Sequence, residues 1–284
     1  MSILIKTIGI IGAGTMGNGI AQSCALVGLK AILQDVNAAA LEKALKTIAS
    51  SLDRALKKGT MTEEQKASVL ASITTTTDVS ALAATDLVIE AATENEALKI
   101  KILRGVDSIL KPETIIATNT SSISITRLAA SISRPDRFVG MHFFNPVPVM
   151  ALVEIIKGLQ TSEATVSAVT DLAKALGKTP IGVKNSAGFV VNRILCPMIN
   201  EAIFVLQEGL ASAEEIDAGM KLGTNQPIGP LALCDLIGLD VQLAVMEVLY
   251  NTFNDSKYRP APLLKEMVDA GRLGRKTGSG FYSY

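Results

Sequence analysis

Histidine is the scarcest reactive residue in this chain: of 284 residues only His142 is a histidine, and tryptophan is absent. Any histidine chemistry must therefore use His142, and a metal site built on two histidines is excluded. Aromatic residues make up 4% of the chain, which argues against platforms that stack nucleic-acid bases. Lys plus Arg and Asp plus Glu both number 27, so no field of one sign attracts a nucleic acid or an anionic membrane.

Cysteine is also scarce. Cys24, Cys196 and Cys234 are far apart, odd in number and form no CxxC pair, which argues against a disulfide framework or a thiolate zinc site. The uncharged stretch 7–29 superficially resembles an export signal or a membrane span, but its many glycines suit neither role. We therefore expect a cytoplasmic protein with no metal site and no membrane contact.

The order of the predicted elements indicates an α/β fold with a Rossmann-type, doubly wound and mostly parallel sheet. An Ile-rich strand over 3–11, a glycine turn, a helix over 17–27 and a strand over 30–33 form a βαβ unit. A helical pair over about 38–72 is longer than an ordinary crossover, so we interpret it as an insertion. Further strands are predicted at 86–92, 114–118, 138–144, 153–156 and 180–183.

After residue 184 the strand-like runs stop. Helical spacing then predicts helices over 189–207, 213–221, 230–253 and 261–270. The sequence thus predicts two domains: a dinucleotide-binding domain over 1–184 and an all-helical C-terminal domain over 185–284.

A glycine-rich motif, GxGxxG, occupies the turn of the βαβ unit as Gly12, Gly14 and Gly17. It follows a strand, opens a helix and precedes Asp35 at the end of the next strand, which is the context of a dinucleotide fingerprint. The helix N-terminus would bind the phosphates, and Asp35 would accept hydrogen bonds from the adenosine ribose. Because no Arg follows Asp35, the motif favours NAD over NADP.

Polar residues at predicted strand ends are candidates for the chemistry. His142 lies near the end of one strand, and Glu154 is an acid among apolar residues in the next, where an imidazole is a natural partner. Asn119 and Ser121 follow another strand, and Asn192 opens the helical domain. The alternatives are a histidine of the core, a solvent-facing acid, a helix-capping cluster and an interdomain hydrogen bond for Asn192.

Further motifs occur along the rest of the chain. In order after the fingerprint they are DLVIEAATEN, ATNTSS, GMHFFNPVPVM, LVEII, SAGFVVNR and GRKTGSGFYSY. Together they resemble the short-chain L-3-hydroxyacyl-CoA dehydrogenases. The resemblance implies reversible, NAD-dependent interconversion of (S)-3-hydroxyacyl-CoA and 3-ketoacyl-CoA, with 3-hydroxybutyryl-CoA and acetoacetyl-CoA as the expected pair.

The resemblance also implies residue roles. His142 would be the catalytic base and Glu154 its partner, while Ser121 and Asn192 would contact the reacting end of the substrate. The cofactor contacts implied are Gly12, Gly14, Gly17, Asp35, Glu94, Lys99, Asn119, Asn145 and Lys276.

The inserted helical pair resembles the arm that holds CoA in this family. Ser51, Arg54 and Lys58 lie at helical spacing and would share a face toward the CoA phosphates, with Lys57 as an alternative to Lys58. A solvated basic face is the competing interpretation. The family also implies a homodimer formed through the helical domain.

Two other functions compete with this one. A β-hydroxyacid dehydrogenase would carry a Lys four residues before the helical Asn, where this chain has Gly188 before Asn192. A non-catalytic, NAD-binding structural or sensory protein would not need Ser121, His142 and Glu154 together with Asn192.

Overall fold

The computed structural model describes residues 5–284, and their contacts divide the chain into two units. The first unit ends at Ser186, and the second comprises Ala187–Tyr284. The boundary predicted at residue 184 thus lies two residues before the observed division. Of the first predicted strand, residues 3 and 4 lie outside the described residues, and the observed strand begins at Thr7.

The first unit is organised around one eight-stranded sheet in the order β3-β2-β1-β4-β5-β6-β7-β8. All neighbouring strands are parallel except β6 and β7, which confirms the predicted doubly wound, mostly parallel sheet. The chain passes from β1 outward to β3 and then crosses to β4 on the other side. The strands are Thr7–Ile11 (β1), Lys30–Gln34 (β2), Ile73–Thr76 (β3), Leu87–Glu90 (β4), Ile115–Thr118 (β5), Phe138–Phe143 (β6), Leu152–Lys157 (β7) and Thr179–Lys184 (β8).

Helices cover the two faces of this sheet, as buried parallel strands require. They are Thr15–Leu26 (α1), Ala38–Lys57 (α2), Glu63–Ala71 (α3), Glu96–Asp107 (α4), Ile125–Ala129 (α5) and Glu163–Ala175 (α6). Helix α2 buries Leu41, Ala44, Ile48 and Leu52, which recur at the three- to four-residue spacing of one helical face.

The predicted insertion is present between β2 and β3 as helices α2 and α3. Helix α3 begins with a capping box in which Thr62 and Gln65 exchange side-chain and backbone hydrogen bonds. Lys66 of α3 lies 2.6 Å from Asp53 of α2, so an ion pair joins the two helices.

The second unit is helical, with Val191–Gln207 (α7), Ala213–Thr224 (α8), Pro230–Ile237 (α9), Leu239–Phe253 (α10) and Pro262–Asp269 (α11). The single helix predicted over 230–253 is wrong. Gly238 has a φ of +107°, which lies outside the helical region and divides the segment into α9 and α10. Among the helices of residues 5–284, none has the length and apolar character needed to cross a bilayer.

All three cysteines are buried free thiols. Burial disfavours the charged thiolate, and it raises the pKa of Cys24 and of Cys196 to about 12 from the ordinary 9.0. The pKa of Cys234 is raised further, chiefly by burial and also by the neighbouring Asp235 carboxylate. These folded-state pKa values exceed the pKa of 9.0 that a cysteine has in the unfolded chain. The contribution of the neutral thiols to the free energy of unfolding is therefore fully present below pH 9, and it is lost as pH rises toward 12.

We therefore expect the native protein to react only slowly with an aromatic disulfide reagent at pH 8, because the reactive species is the exposed thiolate. Unfolding in guanidinium should release three thiols per chain. The exposed Ala67 on α3 gives a positive control, since Ala67→Cys should add one fast thiol to the native protein. A fast thiol in the native wild type would contradict the buried positions.

Candidate active site

Three glycines build the turn between β1 and α1, and the protein's own backbone requires glycine at two of the three positions. Gly12 has a φ of +100°, and a Cβ there would lie 2.6 Å from the Cα of Ala92. A Cβ on Gly17 would collide with the Gly12 carbonyl oxygen. Gly14 is different, because its φ is −67° and a Cβ there would meet no atom within 4 Å. Protein packing alone does not require glycine at position 14.

The space beside Gly14 fits a phosphate group. Gly14 is the N-cap of α1 and makes no side-chain capping bond, so the first turn of the helix presents backbone N–H groups to an exposed edge. These N–H groups and the positive end of the helix dipole suit a dinucleotide pyrophosphate. A side chain at position 14 would occupy part of that space.

Asp35 follows β2 at the same edge of the sheet. Its Oδ2 accepts a hydrogen bond from the Ala13 N–H at 2.8 Å, and its Oδ1 accepts one from the Asn37 N–H at 2.9 Å. These bonds hold the carboxylate beside the glycine turn and leave further acceptor positions on both oxygens for ribose hydroxyls. The next residue, Val36, is exposed and apolar. An enzyme that binds NADP often has an Arg near this position to accommodate the 2′-phosphate, and Val36 cannot play that role.

His142 and Glu154 are directly opposite each other on the antiparallel strands β6 and β7. His142 Nδ1 lies 2.6 Å from Glu154 Oε2, the contact that the sequence predicted. Glu154 has no exposed surface, so it is not a solvent-facing acid, and His142, which is 6% exposed, lies in the interior with Nδ1 facing this carboxylate. A buried carboxylate at this distance can accept a hydrogen bond from Nδ1 and so orient the imidazole ring.

The polar segment after β5 lies at the same edge of the sheet. Asn119 Oδ1 accepts a hydrogen bond from the Phe143 N–H at 2.9 Å and so joins this segment to the residue after His142. The Ser121 hydroxyl and N–H both donate to Glu94 Oε1, at 2.8 and 2.6 Å. These bonds hold Asn119 and Ser121 at the edge of the sheet where β5 ends.

A cavity of about 400 Å³ lies between α1, α2 and the segment after β6. Asn145 lines it, as do Ser51 and Arg54 of α2, whereas Lys58, the C-cap residue of α2, is not among the lining residues. The sequence interpretation missed Lys43 and Thr47, which share the lining. The signal was available, because residues 43, 47 and 51 follow one another at four-residue intervals on one helix face.

Two predicted site residues belong to the second unit. Asn192 is half-buried in the first turn of α7. Lys276 forms an ion pair with Asp240. Burial raises the pKa of Asp240, but the hydrogen bond and charge of Lys276 together with backbone N–H donors outweigh burial and hold that pKa below its ordinary value.

Lys99, predicted as a cofactor contact, is a buried member of a charged cluster that sequence reasoning missed. Its Nζ lies 2.5 Å from Glu90 Oε2 and 3.8 Å from Glu94 Oε2. The Thr118 hydroxyl donates to the same Glu90 oxygen at 2.8 Å. The only signal was an acid at the end of the apolar run DLVIE.

The fold and this edge are typical of an enzyme that binds a dinucleotide at the carboxyl ends of its strands. The NAD-binding domain model of 3-hydroxyacyl-CoA dehydrogenase matches residues 7–186, and the C-terminal domain model of the same family matches 188–284. The chain belongs to the 3-hydroxyacyl-CoA dehydrogenase family of oxidoreductases.

Individual relatives agree over the full length. The chain is 51% identical to a 3-hydroxybutyryl-CoA dehydrogenase of Bradyrhizobium diazoefficiens, over 100% of this chain and 97% of the relative. It is 43% identical to the mitochondrial hydroxyacyl-coenzyme A dehydrogenase of Rattus norvegicus, over 99% and 92%. The crystal structure of (S)-3-hydroxybutyryl-CoA dehydrogenase PaaH1 from Ralstonia eutropha superposes with a TM-score of 0.97, at 67% identity and 99% coverage of both chains.

Alanine substitutions at Gly14 and Gly12 should have different effects on cofactor binding and on stability. Gly14→Ala should fold with wild-type stability but bind NADH weakly, because the added methyl meets no protein atom within 4 Å and fills the phosphate space. Gly12→Ala should lower the free energy of unfolding by about 1–3 kcal/mol, because alanine there is strained. Thermal unfolding and NADH fluorescence titration measure the two effects. Wild-type NADH affinity in Gly14→Ala would disprove the phosphate assignment.

Proposed function

We propose that the chain catalyses the reversible, NAD(H)-dependent interconversion of (S)-3-hydroxyacyl-CoA and 3-ketoacyl-CoA, with 3-hydroxybutyryl-CoA and acetoacetyl-CoA as its substrate pair. The observation that carries the proposal is the buried His142–Glu154 pair, with 2.6 Å between Nδ1 and Oε2. The names of the relatives support the substrate class.

In this proposal His142 is the general base of the oxidation. Because Nδ1 faces Glu154, Nε2 is the nitrogen that removes the proton from the C3 hydroxyl. The Glu154 carboxylate stabilises the imidazolium that forms, and in the reverse reaction the same imidazolium returns the proton to the C3 oxygen. The bound NAD supplies the hydride acceptor. Ser121 and Asn192 orient the reacting end of the substrate, a role that rests on the family resemblance.

NAD is proposed over NADP because Asp35 stands where a 2′-phosphate would lie. Its carboxylate is held by the N–H groups of Ala13 and Asn37, so it cannot turn away without losing two hydrogen bonds. A phosphate dianion placed against that carboxylate would be repelled. The residues proposed to bind the cofactor are Gly12, Gly14, Gly17, Asp35, Glu94, Lys99, Asn119, Asn145 and Lys276.

The phosphate-bearing part of CoA is proposed to bind along α2. Ser51 and Arg54 line the cavity, and the Ser51 hydroxyl accepts a hydrogen bond from Gln22 of α1. Arg54 is exposed and carries the charge that a phosphate requires. Lys58, at the C-cap of the same helix, is proposed as a second cation for the phosphates.

A homodimer through the helical unit is also proposed. Several large apolar side chains of this unit are strongly exposed, among them Leu222 at 86% and Leu210 at 77%. Apolar surface of this kind favours association with a second copy. Localisation in the cytoplasm stays a prediction.

Replacement of His142 tests the catalytic assignment. His142→Ala should lower kcat by about 10²- to 10⁴-fold, the usual contribution of a general acid–base, and leave NADH affinity nearly unchanged. Glu154→Gln should retain more activity than His142→Ala, because the amide oxygen can still accept a hydrogen bond from Nδ1 and orient the ring.

Oxidation of NADH or NADPH by acetoacetyl-CoA, followed by absorbance, measures both variants. If the wild type binds NADH but consumes neither cofactor, the chain is a non-catalytic binding protein. If His142→Ala keeps its rate, the base is another group.

A second test separates the cations of α2. Arg54→Gln should raise the KM for acetoacetyl-CoA about tenfold and leave the KM for the pantetheine thioester, which lacks the nucleotide phosphates, unchanged. Lys46→Gln is the matched control, because Lys46 is exposed on α2 and does not line the cavity. Lys58→Gln tests the second proposed cation in the same assay, and an unchanged KM would remove Lys58 from the CoA site. An unchanged KM in Arg54→Gln would remove α2 from the CoA site.

A further inference from the structure

A fully buried ion pair lies beneath the proposed cofactor edge. Glu90, the last residue of β4, has no exposed surface, and Lys99 of α4 is 1% exposed. Their oxygen and nitrogen are 2.5 Å apart. Burying two charges costs free energy that their mutual attraction rarely returns in full, so such a pair is weak support for a purely stabilising role.

Glu90 connects several elements besides α4. Its Oε2 accepts the Thr118 hydroxyl of β5 at 2.8 Å, and its Oε1 accepts the Ala92 N–H at 2.9 Å. Ala92 is the residue whose Cα would lie 2.6 Å from a Cβ on Gly12. One carboxylate therefore fixes the ends of β4 and β5 and the segment against which the glycine turn packs.

A second carboxylate shares the same ammonium. Glu94 Oε2 lies 3.8 Å from Lys99 Nζ, while Glu94 Oε1 accepts two hydrogen bonds from Ser121. Lys99 is thus held at the nearer acid, Glu90, and Glu94 remains on Ser121. Without the charge of Glu90, the buried ammonium would draw Glu94 inward, because an unpaired buried charge is strongly unfavourable.

The position of this cluster relates it to the reaction. Glu90 is paired in register with Ile11, the residue immediately before the glycine turn. Strands β1 and β4 are the neighbours between which the chain reverses its order across the sheet. Ligands of doubly wound folds bind outside the carboxyl ends of the strands at this point.

We propose that Glu90 is a positioning residue for the dehydrogenase reaction: its buried carboxylate holds Lys99 at the sheet edge and thereby keeps Glu94 on Ser121. The inference rests on the proposed function, which places the cofactor against Lys99 and Glu94 and the substrate against Ser121. Glu90 itself contacts neither ligand; it acts through these three side chains.

Glu90→Gln tests the proposal, with NADH fluorescence titration as the first measurement. The dissociation constant for NADH should rise by about tenfold or more, the order of effect seen when a supporting hydrogen-bond partner is removed from a site. Thr118→Val keeps both charges and removes one hydrogen bond to Glu90; it should give a smaller rise. This milder variant serves if Glu90→Gln fails to fold.

Asp107→Asn is the matched control for loss of stability. Asp107 ends α4 and pairs with Arg134 at 2.7 Å, away from the cofactor edge. The control should lower the melting temperature and leave the dissociation constant for NADH unchanged. If Glu90→Gln, folded by circular dichroism, binds NADH within twofold of wild type, the proposal is overturned.

A double-mutant cycle with Ser121→Ala supplies a readout that general destabilisation does not move. If Glu90 keeps Glu94 on Ser121, the two substitutions should not act independently on the KM for acetoacetyl-CoA. The fold-change in KM of the double variant should differ from the product of the two single fold-changes by about threefold or more. The same cycle with Asp107→Asn should be multiplicative, and multiplicative behaviour in both cycles would refute the coupling. If the wild type binds NADH but does not turn over acetoacetyl-CoA, the proposed function is wrong. The NADH titrations of the Glu90 variants would still test the role of Glu90 in that case.

Discussion

The register between β6 and β7 is the constraint on which the proposed catalytic geometry depends. These strands are the one antiparallel pair in the sheet of the described residues, and they bring His142 and Glu154 directly opposite each other. A slip of one residue would turn one of the two side chains to the other face of the sheet. Because both residues lie within strands, the distance between them is held by a rigid ladder of hydrogen bonds instead of a loop.

Buried carboxylates recur wherever this edge must hold a polar group in place. Glu154 and Glu90 both have no exposed surface, and each lies within hydrogen-bond distance of a nitrogen that carries or can carry positive charge. The hydrophobic sheet beneath them supplies the stability that such burial costs. The edge therefore combines a rigid apolar base with charged groups whose neighbours leave them few alternative positions.

Much of this architecture was predictable because local patterns and the fold agree. The apolar strands, the glycine turn and the acid at position 154 could be read from single segments. The Glu90–Lys99 pair could not, since the acid at the end of the apolar run DLVIE does not identify its partner until β4, α4 and β5 are assembled. The break at Gly238 was also hidden, because apolar residues continue on both sides and only the backbone angle ends the helix. Lys43 could have been predicted, because it lies on the same helical face as Ser51, whereas Lys58 lies outside the cavity that this face lines.

The open space beside Gly14 has a consequence for how such a protein changes over evolutionary time. Because no neighbouring atom opposes a side chain at that position, a single substitution can abolish the proposed phosphate contact without unfolding the chain. Quality control in the cell removes unstable proteins, and it would not recognise this one. An inert descendant of the enzyme would therefore accumulate to the level of the active protein.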